Sequence, residues 1–123
     1  MYDITFRRIV LTADGDVTLR MMKGRTGLTP NILCRIALTV SLDEPGLPRL
    51  VNDDEKSLRE INRYTLLGEY DVAFMALVKA RLSKDGIEPA MADDYFVAHV
   101  HRGISLLPNR IRSIADMRLL CPG

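Results

Sequence analysis

Residues 30–42, PNILCRIALTVSL, constrain this chain more than any other stretch. Thr29 is a good N-cap, and Pro30 suits the first helical position, where its missing N–H costs nothing. The helix that follows, from Pro30 to about Leu42, carries Ile32, Leu33, Ile36, Ala37 and Val40 on one face. Cys34, Leu38 and Leu42 make a second apolar face. A helix that is apolar nearly all round must be covered on both sides. The chain has 123 residues, 47% of them hydrophobic and 27% charged, which is one domain of globular composition. That length buries a real core without disulfide staples. It supplies few elements to cover such a helix twice, so a subunit interface through this helix is expected.

The other elements are read by periodicity. Ile4–Leu11 (ITFRRIVL) is rich in β-branched and aromatic residues and predicts a short strand. Residues 13–26 are helical in spacing, with Leu19 and Met22 three apart and Val17 and Met21 four apart. Gly27 is placed to end that helix in a left-handed conformation. Residues 43–61 hold two prolines and a run of acids and predict a surface loop, with at most a short turn of structure near Glu55–Ile61. A third helix is expected from about Thr65 to Ser83, broken by Asp85-Gly86, and a fourth from about Asp93 to Leu107. Pro108 kinks or restarts the chain into a last helix over 109–120. The expected fold is mostly α: a small helical domain with a short N-terminal strand. It divides into a part at 1–42, a loop at 43–61 and C-terminal helices at 62–123.

Several function classes are set aside. No apolar run approaches the roughly 20 residues of a membrane span, and the N-terminus lacks a signal peptide's apolar stretch. Cys34 and Cys121 are far apart, so no disulfide framework is expected and a cytoplasmic setting fits. His99 and His101 are two apart and diverge on a helix, and the cysteines add no CxxC spacing, so no metal site is expected. Glu69 and Asp71 diverge in the same way. No Ser/Cys–His set and no glycine-rich phosphate loop is present, so neither a cofactor nor catalysis is expected. Arg102 and Gly103 read as a surface cation beside close helix packing. Asn62, Arg63 and Tyr64 read as the start of the third helix.

Net charge is +1, but its distribution is uneven. Residues 1–35 carry six Lys/Arg against three Asp/Glu, residues 36–94 seven against twelve, and residues 95–123 four against one. Both ends are basic, and local field rather than total charge governs association with an anion. The corner KGRTGLTPN concentrates that charge. A helix N-terminus presents unpaired N–H groups and a partial positive charge, which favour a bound phosphate. The hydroxyl of Thr29 and the N–H groups around Asn31 are the candidate donors. Arg20, Lys23 and Arg25 lead into the corner. Arg7 and Arg8 on the strand come next, and Arg110 and Arg112 last. The bland alternative is an ordinary capped helix with solvated cations nearby.

The strand, the helix ending in Gly27 and the second helix capped by Thr29 resemble the ribbon-helix-helix module. That resemblance implies a strand paired with that of a second subunit, entering the major groove. Aligned through Leu11, the base-facing positions are Phe6, Arg8 and Val10. Only Arg8 carries a side chain suited to base edges, so Phe6 and Val10 read as packing residues.

The blocks RTGLTPNILCRIA (25–37), NRYTLLGEYD (62–71) and HVHRGI (99–104) resemble the DndE family of DNA sulfur-modification proteins. The resemblance implies a small helical subunit that self-associates, typically as a homotetramer. It implies binding to double-stranded DNA with a preference for nicks. It also implies membership of the phosphorothioation machinery of a restriction-modification type system. Partners would be a cysteine desulfurase, an ATP-using sulfurtransferase-like enzyme and an ATPase. The expected function is thus a non-enzymatic DNA-binding subunit. Its alternatives are an assembly adaptor docking through the acidic 43–60 segment and a ribbon-helix-helix transcription regulator.

Overall fold

The structure, a computed structural model, describes residues 2–112. The chain runs β1 (Arg8–Thr12), α1 (Ala13–Thr26), α2 (Pro30–Asp43), β2 (Lys56–Asn62), α3 (Arg63–Leu67), α4 (Asp71–Lys84) and α5 (Ala92–Arg110). The mostly α fold class with its short N-terminal strand is what the periodicity predicts.

Helix α2 is the centre of the fold. Leu33, Cys34, Ala37, Leu38, Val40 and Ser41 are all buried within the single chain. The first four share one core cluster with Phe96, Val100, Ile104 and Leu107 of α5 and with Leu66, Leu67 and Val78 from α3 and α4. Both faces of α2 therefore find most of their cover inside one subunit. Only a narrow strip, with Ile32 and Thr39 exposed and Ile36 and Leu42 half-buried, stays open.

The α2–α5 crossing is made close by Gly103, which lies against the backbone of Ala37. Arg102 does not stand out as a surface cation. Its guanidinium donates to Ser41 Oγ (2.9 Å), to the carbonyls of Ser41 (2.8 Å) and Glu44 (3.2 Å), and to those of Pro45 (3.3 Å) and Gly46 (2.8 Å). Arg81 adds bonds to the carbonyls of Leu42 (2.8 Å) and Gly46 (2.7 Å). Two arginines thus satisfy the carbonyls that every helix C-terminus leaves unpaired.

Residues 56–62, expected within a surface loop, form β2, which pairs antiparallel with β1. Ile9 faces Ile61, Arg8 faces Asn62 and Val10 faces Glu60, followed by a bulge before Thr12 and Lys56. At the bulge Ser57 Oγ donates to Leu11 O (2.9 Å) and accepts from the Arg59 N–H (3.0 Å), replacing ladder bonds. The strand escapes a reading by periodicity because its apolar alternation is missing. Ile61 is its one buried residue, while Leu58 is fully exposed. The partner of β1 is thus a segment of the same chain, where a ribbon-helix-helix module would use a second subunit's strand.

Three boundaries differ from the periodicity. The strand begins at Arg8, although Ile4 is buried and Thr5 is tied to Asp93 by its N–H (3.0 Å) and hydroxyl (3.1 Å). The single helix expected over 65–83 is two, broken at Gly68, whose φ of 52° and ψ of −133° suit glycine. Helix α5 runs through Pro108 to Arg110, and the Ile111 N–H closes it onto Leu107 O at 2.8 Å. Most of the expected 109–120 helix, with Ile114 and Leu119, and Cys121 lie outside the described residues.

Candidate nucleic-acid interface

Helix α1 and its glycine stop are built as the sequence predicts. Thr12 caps α1, its Oγ1 accepting from the Gly15 N–H at 2.9 Å. Gly27 ends α1 with φ of 75°, and its N–H donates to Lys23 O at 2.8 Å. Lys23 and Arg25 fall in the last turn, where cations complement the helix dipole.

Helix α2 begins with Thr29 in an extended conformation and Pro30 at its first position. Thr29 makes no side-chain cap. Its hydroxyl donates instead to Asn31 Oδ1 at 2.5 Å, and Asn31 Nδ2 donates across to Thr65 O at 3.3 Å. The first intrahelical bond runs from the Leu33 N–H to Thr29 O at 3.0 Å. The N–H groups of Asn31 and Ile32 precede it and have no intrahelical acceptor.

The candidate residues separate into two regions. Arg20 and Lys23 lie three apart on the exposed side of α1, and the corner carries Thr29 and Asn31. The Lys23 ammonium makes no bond to any described residue and is exposed. Arg20 holds Asp16 at 2.9 Å, one turn back. Gly24 is exposed in the last turn of α1, and a Cβ there would meet nothing within 4 Å. Arg25 turns aside: one guanidinium nitrogen donates to Pro108 O at 3.1 Å, tying α1 to the end of α5.

Arg7 and Arg8 stand at the other end of β1, beside α3, where Arg7 O accepts from the Arg63 N–H at 2.8 Å. Arg8 pairs with Glu60 across the sheet at 2.6 Å. Arg110 pairs with Glu44, and Arg112 is exposed. Phe6 is a packing residue: its ring lies 4.5 Å from that of Phe96, and the Arg63 guanidinium sits 4.9 Å from its centroid. Val10 is half-buried.

Nucleophilic and metal chemistry find little footing. Burial pushes the Cys34 thiol up to about 12, so it stays protonated at neutral pH. His99 is fully buried with Nδ1 2.8 Å from Ser41 Oγ. Arg102 donates to the same oxygen at 2.9 Å, and His99 Nε2 is buried with no hydrogen-bond partner among the described residues. Burial first, and then Arg102 and Arg81, lower the His99 pKa to about 4. His101 is lowered too, mainly by burial; its Nδ1 bonds Val97 O (2.9 Å) and its Nε2 accepts from the Thr12 N–H (3.1 Å). Among the described residues no group of three or more His, Cys, Asp or Glu side chains gathers to hold a metal, and no helix is long and apolar enough to cross a membrane.

The residues that residue-type reasoning undervalued are the arginines that hold the fold. Arg63, read as part of a helix start, chelates Asp71 (2.7 and 2.9 Å) and donates to the carbonyls of Ile4 (2.8 Å) and Phe6 (3.3 Å). Asn62 caps α3 as expected, accepting from the Tyr64 N–H at 2.8 Å. Arg35 donates to Leu66 O (2.5 Å) and Thr65 O (3.2 Å) and lies over the Tyr70 ring at 5.5 Å. The three sequence blocks at 25–37, 62–71 and 99–104 are thus bound to one another, the first to the second through Arg35 and to the third through Ala37 and Gly103.

The model of the family described as DndE, DNA sulphur modification protein DndE, matches residues 8–114. Among solved structures, the chain is similar to DndE from Escherichia coli B7A, involved in DNA phosphorothioation modification. That match has a TM-score of 0.67 and 27% identity, over 85% of this chain and 98% of that one. It is similar as well to a glycine-to-lysine mutant of DndE involved in DNA phosphorothioation, with a TM-score of 0.64 and 25% identity, over 85% of this chain and 99% of that one. No curated protein matches. The match spans β1 through α5, the same three interlocked blocks, and the chain belongs to the DndE family of DNA sulphur modification proteins.

Proposed function

We propose that this chain serves DNA phosphorothioation as a non-enzymatic DNA-binding subunit. It binds double-stranded DNA through phosphate contacts from the α1–α2 corner, and nicked DNA best. It acts as a homo-oligomer, a tetramer by family resemblance, so that each modest basic cluster is repeated by symmetry. It works in the cytoplasm with the cysteine desulfurase, the sulfurtransferase-like enzyme and the ATPase of the system.

One observation carries the reading: Lys23, with no side-chain partner among the described residues, flanks a backbone at Gly24 that those residues leave bare. A glycine in a helix costs roughly 0.5–1 kcal/mol relative to alanine. Among the described residues Gly24 has no neighbour that explains this cost. A side chain there would hold a phosphate backbone away from the helix, and its absence lets one approach. Arg20 on the same side and the N–H groups at Asn31 and Ile32, which lack an intrahelical acceptor, extend the anion-facing surface. Nick preference follows from mechanics, because a nicked duplex bends at lower cost to meet several such corners at once.

The adaptor reading draws less support. Much of the acidic 43–60 charge is already engaged: Glu44 by Arg110, Asp53 by Lys56 (2.8 Å) and Glu55 by Arg49 (2.7 Å). A transcription regulator of the ribbon type pairs β1 with the same strand of another subunit, whereas here β1 takes β2 of its own chain as the partner along one edge.

The test is binding to intact, nicked and single-stranded DNA of one sequence across a salt series, with oligomer mass recorded in the same buffer. The reading expects salt-sensitive binding by an oligomer, strongest for nicked duplex and indifferent to sequence. Absence of binding at low salt would leave Thr29-Pro30 as an ordinary corner and favour the adaptor.

A further inference from the structure

Every exposed residue from Val72 to Ala80 on α4 is apolar: Val72, Ala73, Ala76, Leu77 and Ala80. Val72 is 82% and Leu77 55% exposed in the single subunit. Ala73, then Ala76 and Leu77, then Ala80 recur at the three-to-four spacing of a helix-pair seam. The alanines permit a second helix to come close, since interaxial distance depends on the side chains at the crossing. Beside this seam α2 and α4 bound a cavity of about 630 Å³, lined by Ile36, Val40, Leu77 and Ala80, with Asp43 and Lys84 at its rim. Ile36, Thr39 and Leu42 from the open strip of α2 line it.

Charge selects the occupant. Glu69 is exposed just ahead of α4, and Lys84 is exposed at its last residue. Neither makes an ion pair among the described residues. A partner of one sign, such as a phosphate backbone or an acidic peptide, meets a like charge at one end of the seam. A second copy of the same helix run antiparallel meets the opposite charge at both ends.

We infer that α4 forms a two-fold seam with α4 of a second copy, centred between Ala76 and Leu77. About that centre Ala73 faces Ala80 of the second copy, Leu77 faces Ala76, and Glu69 faces Lys84. Each of these pairings occurs twice, as a two-fold contact requires. This deepens the self-association in the proposed function and rests on that part of it alone. DNA contact by the α1–α2 corner is a separate matter.

Sedimentation of the full chain without DNA tests the inference. Leu77→Glu should halve the assembled mass and keep the far-ultraviolet circular dichroism, because Leu77 is largely outside the subunit's own core. Should that variant lose its fold, the end charges still decide the matter. Glu69→Lys and Lys84→Glu should each weaken self-association on the order of tenfold, and the double swap should restore it. A monomeric wild type would overturn the inference, as would an assembled mass that ignores Leu77→Glu. Failure of the double swap to rescue would overturn the antiparallel register. Loss of DNA binding with an unchanged mass pattern would strike the proposed DNA reading and leave this seam standing.

Discussion

The α-carbon of Gly103 sits so close to Ala37 that a Cβ on it would lie 1.8 Å from the Ala37 carbonyl oxygen. The obstacle is helix backbone, so no side-chain rotation can relieve it. Gly103→Ala must push α5 off α2, the helix at the centre of the core. Overpacking of this kind costs about 3 kcal/mol or more. Urea unfolding of the variant should show a clear loss of stability, and a midpoint equal to the wild type's would contradict the crossing.

Gly24 gives the opposite expectation. A methyl group at 24 meets nothing within 4 Å among the described residues. Gly24→Ala should raise unfolding free energy by roughly 0.5–1 kcal/mol. It should also weaken binding to nicked duplex, if bare backbone at this point admits a phosphate. Greater stability with undiminished DNA affinity would remove the functional reason for this glycine.

Acid sensitivity should have a specific source in His99. Its folded pKa, about 4, lies below the ordinary value of 6.5, chiefly through burial. The unfolded chain therefore takes up this proton at a higher pH than the native one. The stability at stake is fully present above pH 6.5 and is lost as pH falls towards 4. The whole effect approaches about 3 kcal/mol. Ring-proton NMR should show His99 uncharged at pH 5.5, and an ordinary titration would refute the buried Ser41–His99 arrangement.

Arg63 joins three parts of the chain: Asp71 at the start of α4, the Ile4 and Phe6 carbonyls, and the Phe6 ring. Asp71 is held below its usual carboxylate range by the Arg63 guanidinium. Arg63→Met leaves the carboxylate and two carbonyls without donors. A cost of about 1–3 kcal/mol is expected for groups left unpaired in this way. Hydrogen exchange should place the loss in the N-terminal segment and α3. Uniform loosening of the whole domain would argue against Arg63 as a local clasp.

The α1–α2 corner is legible in the sequence because its signals are local. Gly27 needs a left-handed backbone, and Thr29-Pro30 needs an extended residue followed by a helix start. Helix α2 is legible as apolar all round, yet a second subunit is not needed to cover most of it. Gly103 is legible as a point of close helix packing, but sequence spacing does not reveal that its partner is Ala37 of α2 in the same subunit. Strand β2 is not legible, since only Ile61 turns inward and the bulge at Ser57 breaks the alternation. The candidate cations are legible as residue types only. Whether an arginine is free or engaged depends on chain segments far away: Pro108 takes up Arg25, and Glu60 takes up Arg8.

The central claim is that Lys23, exposed and without a side-chain partner among the described residues, meets DNA phosphates. The most direct measurement is the salt dependence of nicked-duplex binding for Lys23→Glu beside wild type, at equal oligomer mass. The account predicts weaker binding at every salt concentration. It also predicts a salt slope shallower by roughly 0.9 for each phosphate no longer neutralised, multiplied by the number of corners that touch the DNA. Equal affinity and equal slope at matched mass would contradict it.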